Sequence, residues 1–141
     1  MTILKGMENR RPKILLGLAA AVMFLTLGVH VFAGGEELYV PLRASDEPDI
    51  IISVFSVVWH FVSLQLGLMA VVLCFLAFRP NGPLFCYVIV STFGFAALFI
   101  FYGLADLGSL WPMPQWIAFL IVGLLMLGAG AQTHLTKGSL V

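Results

Sequence analysis

The sequence predicts an all-α integral membrane protein, an antiparallel four-helix bundle whose helices cross the bilayer up, down, up and down. The first observation is composition: of 141 residues, 61% are hydrophobic and only 10% are charged, and the mean hydropathy is +1.06. A soluble chain this short has too little interior to bury so much apolar surface. The second observation is a set of four apolar runs of roughly 20 residues, the length that crosses a ~30 Å hydrocarbon core. No run has Asp, Glu, Lys or Arg in its interior.

We treat the chain as a single membrane domain, 1–141, with four spans. The spans are predicted at residues 14–33, 50–78, 84–105 and 115–131. They are joined by an outer loop at 34–49, a cytoplasmic turn at 79–83 and an outer loop at 106–114. The turn, Arg79-Pro80-Asn81-Gly82-Pro83, is rich in helix-breaking residues and predicts an antiparallel hairpin of spans two and three.

The basic residues predict the orientation of the chain. With four spans, six of the seven lie on one side of the membrane: Lys5, Arg10, Arg11, Lys13, Arg79 and Lys137. Only Arg43 lies on the other side. The positive-inside rule therefore places both termini in the cytoplasm, and we assign the protein to a cytoplasmic (inner) membrane of bacterial type. Net charge is zero, so the lipid bilayer rather than nucleic acid is the expected partner.

An alternative interpretation of the first span is a cleaved signal peptide. Val31-Phe32-Ala33 has small side chains at the −3 and −1 positions of a cleavage site, and cleavage after Ala33 would leave three spans. The apolar stretch is slightly longer than a usual signal core, and Gly34-Gly35 is equally typical of a helix stop. We therefore expect span one to be retained.

A stripe of small and polar side chains runs along span two, and we call it the seam. Its members are Ser53, Ser56, His60, Ser63, Gly67, Ala70 and Cys74. Alternating spacings of three and four residues place them on one face of a helix. In lipid, small residues let helices approach closely and polar ones hydrogen-bond to a neighbouring helix. We therefore expect the seam to face protein, with Gln65 marking a second polar contact.

The candidate site lies in the seam and its surroundings. Its residues are Ser53, Ser56, Trp59, His60 and Ser63. His60 lies about ten residues from the outer end of span two, or ~15 Å along a helix. An ionisable side chain at that depth is by default a functional-site hypothesis. A neutral imidazole hydrogen-bonded to serines also fits a purely structural role, and the sequence leaves both interpretations open.

The leading functional hypothesis is a non-enzymatic accessory or scaffold component that packs through the seam into a larger membrane complex or a homo-oligomer. A second hypothesis is a cofactor or metal binder. His30 and His60 are the residue types of a bis-histidine haem, although their levels differ by ~10 Å at helical rise. A divalent metal site on the outer side would combine His30 with Glu36, Glu37 and Asp106.

A third hypothesis is a small transporter or a binder of a lipophilic molecule, with a pocket lined by Trp59, His60 and Phe99. The spans lack the buried acid on which proton-coupled carriers usually rely. A membrane-embedded enzyme is the last class. His60, His30, Asp106 and Ser63 are residue types for acid–base chemistry, but their spacing specifies no reaction, and we lean against an enzyme.

Overall fold

The computed structural model describes residues 10–138, with side chains for residues 10–130, and within that range it contains four helices and no strand. Helix α1 spans Arg11–Arg43, α2 spans Asp49–Phe78, α3 spans Gly82–Leu107 and α4 spans Trp116–Gly138. The all-α prediction is confirmed. Lys5 and the side chain of Lys137, on which the predicted orientation partly depends, lie outside the described residues.

Three of the helices are long and apolar enough to cross a membrane. They contain 33, 30 and 26 residues in α1, α2 and α3 respectively. The part of α4 whose side chains are described, Trp116–Gly130, is a shorter apolar helix. Length and composition therefore indicate a membrane protein.

Helix α1 is longer than the sequence predicted. A regular α-helix, Arg11–Gly34, continues without a break into a π-helical turn, Gly35–Tyr39, and a last α-helical turn, Val40–Arg43. The prediction of a helix stop at Gly34-Gly35 and a loop from residue 34 is wrong, because both glycines have right-handed helical backbone angles. Pro41 has no N–H to offer to the carbonyl four residues before it. The widened turn accommodates that interruption, and the Val40 N–H bonds to the Gly35 carbonyl.

Local signals set the boundaries of α3. The Asn81 side-chain oxygen accepts a hydrogen bond from the Leu84 N–H at 3.0 Å and so caps the first turn. Gly108 follows the last turn with φ of 62°, a left-handed conformation that suits glycine. Residues 79–81 are the whole connection from α2 to α3.

The helices pack in an order that differs from their order in the chain. α1 has its most extensive contacts with α2 and α4, and α3 packs mainly on α4. α2 and α3 contact each other far less, although only three residues join them. One polar contact between them is the Gln65 side-chain amide, which donates to the Tyr87 hydroxyl. The prediction that Gln65 makes a second polar contact is confirmed.

The core is apolar and lies toward one end of the fold. Its buried side chains include Met23 of α1, Leu66, Met69 and Leu73 of α2, Val88 of α3, and Val122 and Met126 of α4. The buried hydroxyl of Thr92 donates to the Val88 carbonyl of its own helix at 2.6 Å. Large apolar side chains also cover the outward faces of all four helices, as exposed Leu25, Val57, Val90 and Leu124 illustrate.

Candidate functional site

Aromatic side chains gather where the π-helical turn of α1 lies beside α2. We call this group the Trp59 cluster, and its members are His30, Tyr39, Phe55, Trp59 and His60. The Trp59 indole stacks on the His30 ring with centroids 4.1 Å apart and on the Tyr39 ring at 5.6 Å. Phe55 stacks against both Trp59 and Tyr39, and His60 meets the Tyr39 ring edge-on at 5.5 Å. The cluster joins the far end of α1 to the first half of α2.

The indole of Trp59 is buried, and the backbone around it is hydrogen-bonded. The His30 ring nitrogen Nε2 lies 3.4 Å from the Trp59 carbonyl oxygen. Because a carbonyl only accepts, His30 donates through Nε2 and carries its proton there. The Ser63 hydroxyl donates to the same carbonyl at 3.0 Å. Trp59 therefore holds a structural position between two helices.

Polar atoms of the cluster form a short chain at its exposed edge. The Tyr39 hydroxyl lies 3.3 Å from Ser56 Oγ and 3.5 Å from His60 Nε2. The Ser56 hydroxyl donates to the Ile52 carbonyl at 2.8 Å. The π-helical turn contributes to this arrangement, because its extra residue rotates the side chains that follow relative to an uninterrupted α-helix.

The seam faces inward only in part. Ala70 is buried, and Ser56, Ser63 and Gly67 are half-buried. The prediction is wrong for Ser53, His60 and Cys74, which are exposed. The buried face of α2 consists instead of large apolar residues, among them Leu66, Met69 and Leu73.

Two of the seam serines are hydrogen-bonded within their own helix. Ser56 and Ser63 each donate to the carbonyl four residues earlier in α2. A hydroxyl satisfied by its own helix needs no partner on a neighbouring helix. Their hydroxyl protons therefore need no acceptor on a neighbouring helix, although Ser56 Oγ still accepts from Tyr39 of α1.

The residues predicted to bind a divalent metal are not brought together. Glu36, Glu37 and Asp106 are exposed, and His30 is half-buried against Trp59. Among the described residues, no three His, Cys, Asp or Glu side chains form a group that could hold a metal ion. The geometry also gives no support to the bis-histidine haem hypothesis, since Nε2 of His30 is engaged with the Trp59 carbonyl and Nε2 of His60 faces Tyr39.

The pocket predicted between Trp59, His60 and Phe99 is replaced by two separate aromatic groups. Phe99 stacks on Phe119 of α4 with centroids 5.9 Å apart, whereas Trp59 packs with α1. An open apolar groove of about 380 Å³ lies instead near the start of α2. It is lined by Ile50, Ile51, Val54, Phe55 and Val58.

Sequence reasoning missed Tyr39 and Phe55 as members of the site. Tyr39 lies in the predicted outer loop 34–49, because Gly34-Gly35 is typical of a helix stop. The signal that could have found it is the apolar segment Leu38-Tyr39-Val40, which continues the helical pattern past the glycines. Phe55 belongs to an apolar run in which spacing alone does not distinguish one aromatic residue from another.

Comparisons with protein-family models, with curated proteins and with solved structures found no match to this chain.

Proposed function

We propose that this chain is a four-span protein of a cytoplasmic membrane and acts as a non-enzymatic accessory component that binds another membrane protein through the face around His60. The three long apolar helices support the membrane location. Helix α4 has 23 residues, or ~34 Å of helix, and its first part, Trp116–Gly130, is apolar; we assign it as the fourth span.

Contacts between helices support the up-down-up-down path in this proposal. In α1 and α2, Leu27 lies near Gly67 and Gly34 lies near Trp59, so residue numbers rise along one helix as they fall along the other. The same relation holds between α3 and α4, where Phe85 lies near Gly130 and Phe93 near Gly123. Both pairs are arranged as neighbouring antiparallel helices would be.

The single observation that carries the accessory role is the exposure of His60 on an apolar surface. His60 lies 11 residues after Asp49, the first residue of α2, or roughly 16 Å along the axis. Around it, Val57, Phe61 and Leu64 are 71%, 62% and 61% exposed. The Nε2 atom of His60 has a contact with Tyr39, and a polar atom left without a partner in hydrocarbon costs roughly 2–7 kcal/mol. A neighbouring protein that hydrogen-bonds to the imidazole would remove that penalty.

Purification of the chain from its native membrane in lipid nanodiscs tests the accessory role. We expect a particle that contains a second membrane protein in fixed stoichiometry, measured by native mass spectrometry. His60→Leu should reduce the yield of that complex, because it removes both polar atoms of the ring. The matched control Leu98→Ala, at an exposed apolar position of α3, should leave the yield unchanged. A homogeneous particle of this chain alone would contradict the proposal.

A second candidate function, a carrier of a lipophilic molecule, is favoured by the apolar groove at the start of α2. The groove offers aliphatic and aromatic surface, which suits a hydrocarbon tail. Mass spectrometry of lipid extracts from the purified protein tests this function. Enrichment of one compound that Val54→Trp abolishes would favour it over the accessory role.

A further inference from the structure

The last turns of α1 are attached to the rest of the fold mainly by one side chain. We call residues 36–43 the Tyr39 arm. Its backbone makes few close contacts with α2, α3 or α4. Most of its side chains are exposed, namely Glu36, Glu37, Leu38, Val40, Pro41 and Arg43. Among the described residues, every hydrogen bond or ring contact between the arm and α2 involves Tyr39.

Tyr39 is half-buried and packs on two aromatic rings of α2. Its ring centroid lies 5.6 Å from that of Trp59 and 6.4 Å from that of Phe55. Its hydroxyl lies 3.3 Å from Ser56 Oγ. Stacked rings and a single hydrogen bond contribute far less than the packing of a whole helix face. Tyr39 therefore fastens the arm to α2 in a way that is readily reversed.

Three features that bend helices coincide where the arm begins. Gly34-Gly35 has low helix propensity, the π-helical turn Gly35–Tyr39 interrupts the regular hydrogen bonding, and Pro41 lacks an N–H. Sharp bends in helices occur at such positions. The arm is thus free to turn about Gly35 while the preceding part of α1, with its fully buried Met23, stays packed in the core.

We propose that the Tyr39 arm turns about Gly35 and, by lifting Tyr39, joins the Trp59 indole to the apolar groove at the start of α2. Phe55 is the link, because it stacks on both Tyr39 and Trp59 and also lines the groove. In the closed arrangement Tyr39 lies over part of both rings. In the open arrangement the two rings form one aromatic surface that continues into the groove.

This inference does not depend on the accessory role. Opening of the arm requires no second protein, because its hinge and its fastening both belong to this chain. A particle that contains this chain alone would contradict the accessory role and leave the arm unaffected. An arm that does not open would leave the accessory role unaffected.

Gly35→Ala tests the hinge without disturbing the closed arrangement. Gly35 has φ of −60° and ψ of −51°, which alanine adopts readily, and no atom lies within 4 Å of an added Cβ. Because glycine loses more conformational freedom than alanine in a helix, the substitution should reduce the open population about fivefold. Gly28→Ala is the matched control, since its added Cβ is equally free of neighbours.

Distances between two spin labels measure the position of the arm in the full-length protein in lipid nanodiscs. The background is Cys74→Ala with Cys86→Ala, because both native cysteines are free. The labels are attached at Leu38→Cys on the arm and Leu98→Cys on α3, both exposed positions. We expect a major distance from the closed arrangement and a second, minor distance from the open one. A reference pair at Leu25→Cys and Leu98→Cys should keep one distance in every variant.

Substitutions at the fastening and at the hinge should act in opposite directions. Tyr39→Ala should make the second distance the major one, because it removes both the ring and the hydroxyl that hold the arm. Gly35→Ala should reduce the second distance, alone and in combination with Tyr39→Ala, and Gly28→Ala should leave it unchanged. The thermal unfolding midpoint of each variant controls for folding.

Two results would overturn the inference. One is a single distance between the labels on the arm and on α3 that Tyr39→Ala leaves unchanged, since it would mean that the arm is fixed. The other is an equal effect of Gly35→Ala and Gly28→Ala, which would show that the arm unravels from its end rather than turning about Gly35.

Discussion

The indole of Trp59 lies directly against the backbone of α1 at Gly34, where an added Cβ would stand 3.1 Å from the Cη2 atom of the ring. The same indole stacks on His30, one turn earlier in α1. The sequence predicts that the helix ends at Gly34, but the helix continues through this residue. Gly34 allows the ring to approach the helix closely enough to bring Tyr39 beside Ser56 and His60.

Gly34→Ala should destabilise the protein by displacing the Trp59 ring. A Cβ at 3.1 Å is closer than ordinary van der Waals contact, and overpacking of this kind costs about 1–3 kcal/mol. The measurement is the thermal unfolding midpoint in mild detergent. Gly28→Ala is the matched control in the same helix, because no atom lies within 4 Å of its added Cβ. Equal effects of the two substitutions would contradict the prediction.

Gly123→Ala should loosen the packing of α3 on α4. An added Cβ would lie 2.7 Å from Phe93 Cζ, so the ring has to move, at a cost of about 1–3 kcal/mol. Phe93→Leu replaces the ring with a smaller side chain that lacks the contacting atoms, and the double variant should therefore lose less stability than the sum of the two single variants. Gly94→Ala, with no atom within 4 Å of its Cβ, serves as the control. If the stability losses of the two single variants add up to the loss measured for the double variant, the prediction is wrong.

The helical fold could be predicted from the sequence, because a long run of apolar residues without charged side chains can be recognised from local composition alone. The breakers around Asn81 correctly indicated a short connection before α3. The end of α1 could not be found in the same way. Gly34 and Gly35 are compatible with a helix stop and with a helix interior, and the contact of Trp59 with Gly34 becomes visible only when α1 and α2 are packed.

The inward face of α2 differs from the predicted seam for a physical reason. In a water-soluble protein polarity separates outside from inside, but in lipid both faces of a helix can be apolar. Leu66 and Leu73 are buried while Leu64 and Leu68 are exposed, although the side chains are identical. The type of residue therefore does not predict which side chains of α2 are buried. The packing order of the four helices depends on contacts between residues far apart in sequence, and α2 and α3 make few contacts with each other.

Retention of α1 in the mature protein is the next prediction. α1 has the most extensive contacts in the fold, with α2 and with α4, and its Met23 is fully buried. Cleavage after Ala33 would remove the α1 part of that core and His30 of the Trp59 cluster. We expect the intact mass of the chain purified from native membranes to include residues 1–33. Ala33→Leu is the control, because it removes the small residue that a signal peptidase needs at this position. If α1 is retained, the mass of the chain should change only by the mass of the substitution. An N-terminus at Gly34 would refute retention.

Cysteine labelling in intact cells tests the predicted orientation, in which the α1–α2 connection lies outside and the α2–α3 connection lies in the cytoplasm. The background is Cys74→Ala with Cys86→Ala, because both native cysteines are free and exposed. On this background Ser45→Cys should react with a membrane-impermeant maleimide, and Pro80→Cys should react only after the cells are permeabilised. The physical reason is the excess of basic residues on the side of Arg79. Labelling of Pro80→Cys alone in intact cells would show the opposite orientation. Labelling of both positions would show that the two connections do not lie on opposite sides of the membrane.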